Sequence, residues 1–71
     1  MRGNIIDVSK IRRENYVFLA WIGDHSPRHV HVYRRGRLVL KWNLDASVPM
    51  KGRPTARLVK LIEALTREGV L

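Results

Sequence analysis

Three histidines fall close together in the segment Asp24-His25-Ser26-Pro27-Arg28-His29-Val30-His31-Val32. Histidine titrates nearest to neutrality, so such a cluster points to proton transfer, metal ligation or phosphate contact. His29 and His31 are two residues apart, a spacing that puts both on one face of a strand. Three readings follow. In the first, His29 and His31 act on a polyanion, with His25 as a third candidate. A neutral imidazole takes a proton from a ribose 2′-hydroxyl, and a protonated one delivers a proton to the leaving oxygen. Arg28, Arg37 or Lys41 stabilises the charge on phosphorus, and Tyr33 stacks on a base. This metal-independent ribonuclease chemistry needs no cofactor, and binding without cleavage uses the same residues. In the second reading, His25, His29 and His31, with Asp24, ligate zinc or another divalent ion in a hydrolase. In the third, His25 pairs with Asp24 while the other two satisfy hydrogen bonds in a half-buried contact. That contact is between two copies of the chain; a separate alternative is a non-catalytic interaction module that docks an acidic partner. The net positive field lowers histidine pKa values and favours neutral imidazoles, which suits either a ligand or a base. There is no glycine-rich phosphate loop, no Cys/His zinc pattern and no His-Glu-x-x-His.

The charge balance favours the polyanion. Fourteen basic residues stand against 6 acidic ones in 71, a net +8. Such an excess attracts nucleic acid first and an acidic protein second. Arg28, Arg34, Arg35, Arg37 and Lys41 lie in a stretch with no carboxylate, and Lys51, Arg53, Arg57 and Lys60 form a second cluster. The nucleic-acid candidates are therefore Arg28, Tyr33, Arg34, Arg35, Arg37 and Lys41, with RNA preferred over DNA.

These residues must be positioned by one small domain. A chain this short buries only about 60% of its unfolded surface, so self-association into a homodimer is expected. The absence of cysteine fits a reducing cytoplasm. No apolar run approaches the ~20 residues of a membrane span, and Met1-Arg2-Gly3-Asn4 lacks the apolar core of a signal peptide.

Residues 5–11 read as a short strand or an irregular cover, and Arg12-Arg13-Glu14-Asn15 as a turn. Residues 16–22 are apolar, rich in β-formers and closed by Gly23-Asp24, which predicts a strand covered on both faces. Residues 23–28 are a loop, 29–33 a second strand and 38–44 a third. Of the connections between these two strands, a three-residue loop ending in Gly36 avoids a positive φ at Arg35. It pairs Val32 with Leu38 and Val30 with Leu40. The opposite face then carries His29 beside Lys41, His31 beside Val39 and Tyr33 beside Arg37. Residues 45–52 read as a loop. Leu58, Val59, Ile62 and Leu65 recur at helical spacing within a helix over 54–68, capped by Gly69. Val30, Val32, Leu38, Leu40, Trp42 and Leu44 are expected to form the core against it. The predicted class is α+β, β-β-β-α. It is a three-stranded antiparallel sheet, with the N-terminal segment as a fourth candidate, and one helix on one face.

The motif, followed by Tyr33-Arg34-Arg35-Gly36-Arg37, resembles the small bacterial family called "domain of unknown function 4160". That family's typical run is Asp-His-Asn-Pro-Pro-His-Val-His-Val before a glycine turn. The likeness continues through Lys41-Trp42-Asn43-Leu44 and Lys51-Gly52 into the helix. Arg28 departs from it, standing where the family has a second proline. The resemblance implies a toxin–antitoxin-type component, with a nucleic-acid role and a cognate small protein partner. It carries over no catalytic residue.

Overall fold

Alternation of apolar and polar residues through 29–32 and 40–43 decides which side of the sheet the helix covers. The computed structural model describes residues 7–22 and 28–71. The strands are β1 (Asp7–Arg13), β2 (Tyr16–Ile22), β3 (His29–Arg34), β4 (Arg37–Asn43) and β5 (Val48–Gly52), followed by α1 (Ala56–Arg67). All five strands pair antiparallel with their neighbours in chain order, a simple meander. The class is α+β, as expected, but the expected three- or four-stranded sheet is corrected to five strands.

From the sequence the first strand is expected as a short strand or cover ending at Ile11 and the last as a loop, each for a physical reason. β1 alternates Ser9, Ile11 and Arg13 with Lys10 and Arg12, and Ile11 pairs with Phe18. Its charges reach beyond Ile11 because an edge strand tolerates lysine and arginine. Arg12 and Arg13 therefore belong to the strand, and the turn is Glu14-Asn15, both at positive φ (51° and 71°). β5 contains Pro49 and Gly52, which read as loop residues. At an edge, proline loses no ladder bond it needs to donate, and Pro49 lies opposite Trp42.

Phe18, Ala20, Val30, Val32, Leu40 and Trp42 are buried from the sheet. Leu58, Leu61, Ile62 and Leu65 meet them from α1, at the i, i+3, i+4, i+7 spacing of one helical stripe. Thr55 starts the helix by accepting a hydrogen bond from the Leu58 amide at 3.1 Å. Its end is a Schellman motif: the Gly69 amide donates to the Thr66 carbonyl and the Val70 amide to the Leu65 carbonyl, both at 3.1 Å. The tail then returns to the sheet, where Ser9 Oγ donates to the Val70 carbonyl at 2.9 Å.

The β3–β4 connection also differs from expectation. Arg35-Gly36 is a two-residue turn with both residues at positive φ (52° and 78°), and Arg34 pairs with Arg37. Both left-handed residues match the twist of the flanking strands. An irregularity after Val32 adds one residue on β4, so Val32 pairs with Leu40, Val30 with Trp42, His31 with Lys41 and His29 with Asn43. Before the bulge the expected faces hold while the partners move by two residues; beyond it Tyr33 pairs with Leu38 rather than Arg37. Leu38 is there 39% exposed rather than in the core. Leu44 is only partly buried at the core's margin.

Candidate nucleic-acid interface

The sheet face away from α1 is built from cross-strand rows. The central row runs Lys10, Leu19, His31, Lys41, Lys51, one residue from each strand. Toward the hairpin turns lies Arg12, Val17, Tyr33, Leu38, and on the other side His29, Asn43, Val48. His29, His31, Tyr33 and Lys41 are all half-buried. No carboxylate occupies any of these register positions.

The rings form a continuous strip along β3. His29 and His31 have centroids 5.3 Å apart at a tilt of 49°, and His31 meets Tyr33 edge-on at 6.5 Å. Burial lowers the His31 pKa below its ordinary 6.5, and electrostatic interaction with His29 and Lys41 lowers it further. The shift favours the uncharged ring of His31 near neutral pH. That ring can accept a proton or present an uncharged face for stacking.

The basic candidates separate into three groups. Lys41 lies beside His31 on the open face. Arg34, Arg35 and Arg37 are at the second hairpin turn, with the Arg34 guanidinium 5.8 Å above the Tyr16 ring. Arg28 sits at the opposite end of β3. Its amide and its Nε donate to the two Asp45 carboxylate oxygens at 2.9 and 3.1 Å. Its carbonyl also accepts from the Leu44 amide at 2.8 Å. Arg28 thus clamps the β4–β5 turn, and much of its charge is neutralised there. Asp24 and His25 lie outside the described residues. Among the described residues, no group of three or more histidine, aspartate or glutamate side chains converges as a metal site.

Lys10, Arg12 and Lys51 were not among the sequence candidates. Their signal was present, as charges alternating with apolar or small residues at the two edges. It becomes visible only once β1 and β5 are recognised as strands. The chain matches no family model, no curated protein and no solved structure.

Proposed function

We propose that the open sheet face binds nucleic acid as unpaired strands, RNA in preference to DNA. The observation that carries this reading is the strip His29–His31–Tyr33 on a face with no carboxylate at its described register positions, flanked by Lys10, Lys41, Lys51 and Arg12. Unpaired bases stack on such rings while the phosphates meet the cations, and no base-specific hydrogen bond is needed. The resemblance of the histidine motif supports placing this activity in a toxin–antitoxin-type module with a cognate small protein. The lack of cysteine supports a cytoplasmic setting. No helix of the described residues is long and apolar enough to cross a membrane.

Fluorescence anisotropy with a labelled 12-nucleotide RNA tests the reading. Tyr33→Ala should weaken binding about 5- to 150-fold, the range for losing one base–aromatic stack, while Tyr33→Phe retains it. Equal affinity for wild type and Tyr33→Ala would remove the sheet face from the binding site.

A second reading, cleavage without metal, is favoured by one observation: His31 is cross-strand neighbour to Lys41 and ring neighbour to His29. His31 would take the 2′-hydroxyl proton, His29 would return one to the leaving oxygen, and Lys41 would stabilise the phosphorane. The test is a cleavage gel in chelator, in which His29→Ala/His31→Ala should leave intact RNA.

A further inference from the structure

The two hairpin turns lie side by side at one end of the sheet, because Tyr16 pairs with Arg34. Between them is an open cleft of about 340 Å³ lined by Arg12, Asn15, Val17, Arg34, Arg35 and Gly36. Arg12 lines it from the first hairpin and Arg35 from the second, while Arg34 beside them turns its guanidinium to the Tyr16 ring. Among the described residues, neither Arg12, Arg34 nor Arg35 forms an ion pair with a carboxylate. Glu14, the nearest acidic residue in sequence, is held by Arg57 through a hydrogen bond of 2.8 Å from Nε. We propose that this cleft is a phosphate-binding subsite, holding a backbone phosphate of the strand that lies on the sheet face.

Three features support the assignment. Like charges gathered without a counter-charge repel one another, and an anion between them relieves the repulsion. Guanidinium groups bind phosphate oxygens in pairs, through forked N–H donors that lysine lacks. The Asn15 side chain adds a neutral donor. The backbone supplies the second feature. Arg35 occupies a left-handed position (φ 52°) that two-residue hairpins ordinarily give to asparagine, aspartate or glycine. An arginine kept in a disfavoured conformation at a charged cleft points to use of its side chain. Continuity with the sheet face is the third. Val17 lines the cleft, and the register places it opposite Arg12 on one side and Tyr33 on the other. A base stacked on Tyr33 therefore has its phosphate within reach of the cleft.

The identity of the phosphate rests on the RNA reading, so the experiment separates the two. The first arm titrates inorganic phosphate into the whole protein and follows backbone amide shifts by NMR. Saturable shifts at Asn15, Arg35 and Gly36, lost in Arg12→Gln/Arg35→Gln, are expected. Uniform, unsaturated drift over the basic surface would overturn the cleft. The second arm compares RNA affinity of Arg12→Gln/Arg35→Gln with that of Lys60→Gln/Arg67→Gln, which removes the same charge from the helix. At least a tenfold loss is expected from the cleft variant. Its log–log salt slope should also be shallower by about 0.7 for each phosphate contact removed. The helix variant should change little. Equal losses in the two variants would overturn the cleft and leave the sheet-face reading standing. Wild-type protein that binds phosphate at these amides but no RNA would overturn the RNA reading alone, and the phosphate arm then decides the cleft.

Discussion

His31 joins the proposed chemistry to stability in one side chain. Its pKa in the folded protein lies below 6.5, chiefly through burial and then through His29 and Lys41. The unfolded chain therefore takes up this proton more readily than the native one. Stability is full above pH 6.5, falls as pH drops from there to the lower native pKa, and levels off below it. Glu68 behaves differently: Arg13 holds its pKa below 4.5 through hydrogen bonds of 2.7 and 3.1 Å. Its contribution is present above pH 4.5 and disappears as pH falls through the lower native value. Melting curves between about pH 7 and pH 5 should therefore show a decline that His31→Gln flattens. An unchanged slope in the variant would show that another group carries it. At this scale much of the site was legible. The spacing of His29 and His31 placed both on the face away from the helix, with Tyr33 continuing the strip. Arg28 was not legible as a clamp. Its partner Asp45 is distant in sequence and meets it only through the β4–β5 turn.

Among the elements, tight hairpins replace the looser connections expected from the sequence. Avoiding a positive φ at Arg35 is sound local reasoning, since an L-residue there costs about 1–2 kcal/mol. The strand twist and the bulge after Val32 outweigh that cost, and the bulge keeps Val30, Val32, Leu40 and Trp42 in the core. Arg35→Asn should therefore stabilise the fold by about 0.5–1 kcal/mol while weakening the cleft. Chemical denaturation beside the phosphate titration measures both, and a destabilised variant would show that Arg35 holds the turn. Gly52 is the opposite case. It ends β5 at φ 90°, and a Cβ there would lie 2.4 Å from the Val39 carbonyl oxygen, a backbone atom with little room to move. Gly52→Ala should cost about 2 kcal/mol or more, from overpacking and the left-handed backbone together. A melting temperature equal to wild type would mean that β5 detaches easily from β4. The sequence signal at Gly52 suggested only a loop, because a glycine needed for close backbone approach looks the same as one needed for flexibility.

Over the molecule as a whole, the carboxylates among the described residues keep away from the open face. Three carboxylates, Glu14, Asp45 and Glu68, are engaged by Arg57, Arg28 and Arg13 at the turns and the helix end. The open face keeps its cations and carries no acidic register position. This sorting sets two associations against each other. A small domain with a half-buried ring strip gains by covering it with a second copy. A two-fold contact through that face, however, brings two sets of Lys10, Arg12, Lys41 and Lys51 together at a net +8 per chain. Salt screens this repulsion, because the Debye length contracts to ~10 Å at 0.1 M and to ~3 Å at 1 M. The same salt weakens RNA binding by removing the gain from counterion release. Self-association through the open face should therefore strengthen with salt while RNA affinity declines, and added RNA should dissociate the dimer. Sedimentation equilibrium from about 0.05 M to 0.5 M salt, with and without a 12-nucleotide RNA, reads both trends. A dimer that persists at low salt and takes up RNA without dissociating would place the contact on an edge strand or the helix. The ring strip and its lysines would then remain wholly available to nucleic acid.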